Sequence, residues 1–148
     1  MRRRYKGFHR VSYKGRTWLV RKRKTNAPQW VLDLAQDIVK NKSHKRMPVI
    51  LWRKRHGFHS TGVTYSLEGR LTIRAGSDEQ DQKLVLLHEL AHYLCPKACG
   101  HNMRFWVTAW QLYKEYGIDL KYAFEREKDY KKKAIVAYDR IILKGGGA

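Results

Sequence analysis

The stretch LVLLHELAHYL, residues 84–94, decides the fold, because it has the apolar composition of a buried core segment except at His88, Glu89 and His92. At about 100° per residue, its leucines and its alanine cover most directions around a helix. We therefore expect this helix to be buried on nearly every side. Acidic residues at positions 78, 79 and 81 favour a helix start just before it, and Pro96 favours a stop just after it.

His88 and His92 share the one stripe of this helix that the leucines leave open. Imidazoles one turn apart can bind the same metal ion, at about 2.0–2.1 Å each. Glu89 would project beside that ion, where a carboxylate can take a proton from water. The sequence HELAH thus has the HExxH pattern of zinc sites, in which the glutamate is a general base. The alternative is a pair of core histidines that hydrogen bonds satisfy without metal.

A hydrolytic zinc site needs a third protein ligand and one open position. We predict His101, which follows Gly100 at the start of the next helix, so that a short loop can return it to the metal stripe. Cys95, Cys99 and a distant carboxylate remain rival ligands. In a reducing compartment, the two cysteines are predicted to be free thiols. Tyr113, Tyr116 and Arg104 are open candidates for an oxyanion donor.

The chain has 148 residues, which predicts one domain, and a formal net charge of +19. That charge lies at the flanks. Residues 1–58 hold 18 Lys and Arg against 2 Asp, whereas residues 59–116 hold 6 basic and 6 acidic residues. A polyanion is the natural partner for such a balance, and nucleic acid is the commonest one. The alternative is a solvated tail that only aids solubility.

The basic residues predicted to contact nucleic acid fall in three short groups. They are Arg2, Arg3, Arg4, Arg21, Lys22, Arg23, Lys24, Arg53, Lys54 and Arg55. The apolar runs fall far short of a membrane span, and no apolar segment follows the basic N-terminus as a signal peptide would require. We therefore expect a cytoplasmic protein associated with nucleic acid, with a virion as a second setting.

The remaining elements suggest an α+β fold. Residues 1–25 form a basic N-terminal arm with a hairpin around Lys14-Gly15, residues 26–117 a catalytic domain, and residues 118–148 a basic helical extension. In the central part we predict a helix capped by Asn26, a sheet of three or more strands, the active helix, and a supporting helix capped by Asn102. The predicted strands cover 47–53, 62–66 and 69–75, and the last helix covers 120–143.

The segment HELAHYLCPKACGHNMRFW, residues 88–106, resembles the SprT-like and WLM groups of zinc metallopeptidases. The preceding STGVTYSLEGRLTIRAG is similar to the hairpin that comes before their active helix, and the resemblance covers about residues 28–117. It implies a minimal gluzincin-like fold. It also implies a peptidase whose substrates are DNA-associated proteins, which favours DNA as the nucleic-acid partner. It also implies that His88, His92 and His101 bind zinc, that Glu89 is the general base, and that Phe105 and Trp106 pack behind the third ligand.

Taken together, these patterns predict a zinc-dependent peptidase that hydrolyses peptide bonds on or near nucleic acid. Two other functions fit the same sequence. One is a nucleic-acid-binding structural protein, such as a virion or nucleoid component, with a structural metal site. The other is a zinc-dependent nuclease, because three histidines can also activate water against phosphate.

Overall fold

The computed structural model describes residues 6–54, 62–76, 78–95, 100–127 and 132–145. These residues form a mixed α+β fold, the class that the sequence predicted. They comprise a two-stranded sheet, a three-stranded sheet and five α-helices. The strands are β1 (Phe8–Tyr13), β2 (Arg16–Arg21), β3 (Val49–Lys54), β4 (Gly62–Tyr65) and β5 (Arg70–Ala75). The helices are α1 (Gln29–Lys42), α2 (Glu79–Leu94), α3 (Met103–Glu115), α4 (Leu120–Glu127) and α5 (Lys132–Tyr138).

Strands β1 and β2 form the predicted hairpin around Lys14-Gly15. Both turn residues have positive φ angles, 48° and 75°, and Tyr13 pairs with Arg16 across the turn. A two-residue turn of this kind matches the right-handed twist of the two strands. The hairpin therefore presents its basic residues from a regular, antiparallel ribbon.

The three-stranded sheet has the order β3-β5-β4, which the sequence did not predict. β3 runs parallel to β5, and β4 runs antiparallel to β5. One face of the sheet buries Ile50, Leu71 and Ile73 completely. Helix α2 packs against β4 and β5, so this apolar face and the buried helix together form the centre of the core.

The prediction that Asn26 caps α1 is wrong. Pro28 occupies the cap position, and helix α1 begins at Gln29. The Asn26 side chain instead pairs with β3: it accepts from the Trp52 backbone N–H (2.7 Å) and donates to the Trp52 carbonyl (3.3 Å). The outer edge of β3 offers backbone groups that need partners, and an amide satisfies both kinds at once.

Helix α3 fills the other side of the core with large aromatic side chains. Trp106, Trp110 and Tyr113 are fully buried. Residues beyond 117 belong to the same core, among them Ala123 of α4 and Ala134 of α5. The single tail helix predicted for 120–143 is present as α4, α5 and a π-helical turn over Asp139–Leu143, with 128–131 outside the described residues. Within the described part of the chain, no helix has the length and apolar character needed to cross a bilayer.

Candidate metal centre

Three histidines converge between helix α2 and the start of helix α3. His88 and His92 lie one turn apart on α2, and His101 directly precedes the cap of α3. Gly100, just before His101, lies in the left-handed region (φ 56°). The Asn102 side chain then accepts a hydrogen bond from the Phe105 backbone N–H (3.0 Å), as predicted for a helix cap. The cap therefore holds the third histidine at a defined place.

The ring nitrogens of the three histidines have the spacing that a shared metal ion requires. The Nε2 atom of His101 lies 3.2 Å from that of His88 and 3.3 Å from that of His92. Each histidine offers one nitrogen, and these nitrogens all lie within 4.8 Å of one another. Bonds of about 2.0–2.1 Å at tetrahedral angles would place ligand nitrogens about 3.3–3.4 Å apart. The three residues therefore fit a tetrahedral metal.

Aromatic rings of helix α3 support the imidazoles from behind. The Phe105 ring stacks on His92 with centroids 3.9 Å apart, and the Trp106 ring stacks on His101 at 5.7 Å. Exposure rises across the cluster: His88 is buried, His92 is half-buried and His101 is exposed. The cluster therefore lies at the surface. The rings of Phe105 and Trp106 support it on the core side, and its other side faces solvent.

Glu127 of helix α4 holds the far nitrogen of His88. Its Oε1 atom accepts from His88 Nδ1 (2.9 Å) and from the Tyr113 hydroxyl (2.7 Å), and its side chain is buried. Because a carboxylate only accepts hydrogen bonds, Nδ1 carries the proton, and the lone pair of His88 lies on Nε2, which faces the other histidines. This is the outer-shell arrangement that orients a metal-binding histidine.

Glu127 was not predicted from the sequence, and it lies 39 residues from His88 along the chain. The only local signal is an acidic residue on a short amphipathic helix. The structure shows how α4 is held in place: Arg126 forms an ion pair with the buried Asp81 of α2 (2.7 Å). Asp81 and His88 are two turns apart on α2, so Arg126 and Glu127 fasten α4 to two points of the same helix.

Glu89 is buried and held by strand β4. The Thr64 hydroxyl lies within hydrogen-bonding distance of the Glu89 Oε2 atom and of the Glu89 backbone carbonyl (3.0 Å). Gly62, two residues earlier, leaves room for the carboxylate. A Cβ atom added at Gly62 would lie 2.8 Å from Glu89 Cγ and 2.9 Å from Oε1. The backbone of β4 therefore forms one wall around the Glu89 side chain.

The electrostatic surroundings give the four titratable groups different proton affinities. Burial, with added repulsion from His88 and His101, lowers the pKa of His92 to about 3. Burial also lowers the pKa of His101, so both imidazoles are neutral near pH 7 and can act as ligands. Burial is the largest single influence on the pKa of His88 and lowers it, but the hydrogen bond to Glu127 and the negative charges of Glu127 and Glu89 together outweigh burial, so the net shift is upward. Burial raises the pKa of Glu89.

The rival ligands are not part of this cluster. Among the described residues, the group that could hold a metal comprises the three histidines; Cys95 is buried and is not a member of it. Cys99 lies outside the described residues. Of the oxyanion candidates, Tyr113 bonds to Glu127, on the Nδ1 side of His88. Tyr116 donates to Asp37 of α1 (3.2 Å), and Arg104 is exposed on α3.

The predicted nucleic-acid residues that the structure describes are all exposed. Arg21, Lys22, Arg23 and Lys24 lie at the end of β2 and in the segment after it, and Arg53 and Lys54 end β3. Arg2, Arg3, Arg4 and Arg55 lie outside the described residues. The exposed cations are therefore available to a partner on the sheet side of the molecule.

A comparison of the chain with protein-family models, with curated proteins and with solved structures finds no match.

Proposed function

We propose that this protein is a zinc-dependent peptidase of the SprT-like type that cleaves proteins on or near nucleic acid. The observation that carries the proposal is the convergence of three imidazole Nε2 atoms next to a buried glutamate. Core histidines without a metal need separate hydrogen-bond partners, whereas here three ring nitrogens share one point. A common cation would satisfy all three ring nitrogens at once.

The donor set favours zinc over other divalent ions. Three imidazole ligands suit zinc, whereas magnesium and calcium prefer oxygen ligands. His88, His92 and His101 would hold the ion and leave one position for water or substrate, as in hydrolytic zinc sites. Bound zinc would polarise a peptide carbonyl and lower the pKa of water toward about 7.

Glu89 is the proposed general base. Its carboxylate accepts the proton of the attacking water and then delivers it to the amine that leaves. Burial raises its pKa, which makes the carboxylate a better proton acceptor than an ordinary exposed glutamate. Thr64 and the close approach of Gly62 hold the carboxylate in one orientation. Glu127 and Tyr113 keep the His88 ring in the tautomer that presents Nε2.

The architecture also agrees with the zincin-like arrangement that the resemblance implies. A helix, a small sheet, the HExxH helix and a supporting helix follow one another as α1, β3–β5, α2 and α3. Nucleic acid enters the proposal through charge: the first 58 residues carry 18 basic residues against 2 acidic ones. A bound nucleic acid would keep the enzyme close to proteins that share the same strand.

Incubation with casein or a histone, with and without single-stranded DNA and a chelator, tests this proposal. We expect cleavage that the chelator abolishes, and Glu89→Gln should lower the rate about 10²- to 10⁴-fold while zinc still binds. Glu79→Gln, an exposed position in the first turn of α2, is the matched control and should leave the rate unchanged.

Three results would contradict the peptidase. Unchanged cleavage by the Glu89→Gln variant would mean that Glu89 is not the base. Zinc binding and DNA binding without any proteolysis, including cleavage of the protein itself, would favour the structural role. Chelator-sensitive cleavage of DNA in place of protein would favour the nuclease.

A further inference from the structure

We propose that the outer face of the three-stranded sheet is a binding surface for single-stranded nucleic acid. Side chains alternate along the strands. Ile50, Leu71 and Ile73 point into the core, so their neighbours in β3 and β5 point to the opposite face. This inference rests on the nucleic-acid association in the proposed function, but not on its peptidase chemistry.

The outer sheet face carries a concentrated positive charge. It forms an open concavity of about 390 Å³. The residues that line this concavity include five cations and no acidic residue. Arg53 and Arg74 are directly paired in the β3–β5 register, so two of these cations stand side by side on the sheet. The five are Arg23, Arg53, Lys54, Arg70 and Arg74.

A row of cations on a concave surface favours the phosphate backbone of a polyanion over a small neutral ligand. Cations that neutralise phosphates release counterions, which supplies most of the sequence-independent affinity for nucleic acid. Glu68 pairs with Arg70 (3.2 Å) and offsets one of the positive charges on this face. Only Arg23 comes from outside the sheet, from the segment that follows the hairpin.

An exposed aromatic side chain at the same place favours a single strand over a duplex. Tyr65 of β4 lines the concavity with 42% of its surface exposed, and the Arg70 guanidinium lies 4.4 Å from the centre of its ring. Unpaired bases can stack on such a ring, whereas bases in a duplex are already stacked and paired. Rigid β-structure beneath Tyr65 keeps the ring in place without a large entropic cost.

The surface lies on the reverse side of the sheet from the metal centre. Helix α2 covers the apolar face through β4 and β5, and Arg53, Arg70 and Arg74 alternate onto the other face. A strand bound there is separated from the histidines by the thickness of the sheet and the helix, about 10 Å or more. The bound strand would therefore hold the protein in place and would not itself reach the metal centre.

Binding of a fluorescein-labelled oligothymidylate, measured by anisotropy over a range of salt concentrations, tests this surface. We expect Arg53→Gln/Arg74→Gln to weaken binding by about tenfold or more and to reduce the salt slope by roughly 1.4, since each single-strand phosphate contact contributes about 0.7. Lys132→Gln/Lys133→Gln removes the same charge from exposed positions of α5 and should change binding far less.

The tyrosine gives a second, charge-neutral test. Tyr65→Leu should weaken the oligothymidylate complex by roughly tenfold, whereas Tyr65→Phe should bind as the parent does. The duplex form of the same sequence should bind more weakly and should not respond to Tyr65→Leu. Unchanged circular dichroism and zinc affinity in each variant show that the fold is intact.

The outcomes separate this inference from the proposed function. Loss of strand binding in both sets of variants supports the surface, whether or not the protein cleaves casein. Equal effects of the two charge-removing doubles, no effect of Tyr65→Leu, or no binding by the parent protein would overturn the surface, even if the protein is a peptidase.

Discussion

At the scale of single residues, the candidate centre depends on two buried carboxylates that lie on different sides of the His88 ring. Glu89 lies against β4 near the metal side of His88, and Glu127 lies on the Nδ1 side of the same ring. Both side chains are buried, with 4% of their surface exposed. Each has specific partners that hold it, which is the condition for keeping a carboxylate in the interior. Substitutions at Gly62 and at Glu127 separate the roles of the two carboxylates.

Gly62→Ala should displace the Glu89 carboxylate without touching a ligand. The added methyl would lie 2.8 to 2.9 Å from three atoms of the Glu89 side chain, so the carboxylate has to move. We expect kcat/KM for casein to fall about 10²-fold, because a small misplacement of a catalytic group has that effect, with zinc affinity unchanged. Gly7→Ala, where nothing lies within 4 Å of the added methyl, is the control. Equal activity of the two variants would refute the contact.

Glu127→Gln should weaken zinc binding. The amide keeps the shape of the side chain but loses the charge that orients His88 through Nδ1, and outer-shell changes of this kind cost about 10- to 100-fold in metal affinity. Competition with a chromophoric chelator measures the affinity. Glu125→Gln makes the same change at an exposed position of α4 and should bind zinc as the parent does. If both variants kept full affinity, Glu127 would have no role at the metal.

At the scale of secondary structure, the third histidine is positioned by the start of a helix. His101 has no helix turn of its own to hold it, because α3 begins only at Met103. Its place follows from the Asn102 cap below it and from the stacked ring of Trp106. The stability of the first turn of α3 and the geometry of the metal ligands are therefore linked.

Asn102→Ala should lower both the stability of the metal-free protein and its zinc affinity. Loss of a helix cap costs about 1 kcal/mol in the free energy of unfolding, and a frayed first turn would let His101 move. Urea denaturation in the presence of chelator measures the first effect, and a zinc titration measures the second. Asn102→Asp retains a side-chain acceptor and should behave as the parent. A stable Asn102→Ala protein with normal zinc affinity would contradict this link.

At the scale of the whole molecule, the metal would fasten α2 to α3, and α4 holds the arrangement from the far side. The core formed by these helices also includes the sheet, whose reverse side carries the basic concavity. The molecule thus separates a metal face from a cationic face. Under the two proposals, this division would let a protein substrate and a nucleic-acid strand bind at the same time.

Zinc should raise the thermal stability of the whole protein. A ligand that binds only the folded state stabilises it by about 2.7 kcal/mol at 100 times its Kd, which corresponds to roughly 5–10 °C in Tm for a chain of this size. Differential scanning fluorimetry with added zinc, then with EDTA, measures the shift and its reversal. His92→Ala should lose most of the shift. The same zinc response in that variant would mean that the ion binds elsewhere.

Local sequence signals predicted the elements well where one residue pattern decides the outcome. The Lys14-Gly15 hairpin, the Asn102 cap and the extent of α2 each depend on neighbours within a few residues. The Asn26 prediction failed for the opposite reason. An amide before a helix is a good cap, but here the Asn26 amide bonds to the backbone of a strand edge 26 residues away.

The sequence by itself determined that one buried helix carries His88, Glu89 and His92 on a single stripe, because helical periodicity is a local property. It also determined where the positive charge lies along the chain. Only the tertiary structure decided that Glu127, Thr64 and Gly62 surround these residues, and that β5 lies between β3 and β4. Those relations depend on the packing of segments distant in the chain, and a single sequence carries no periodic signal for such contacts.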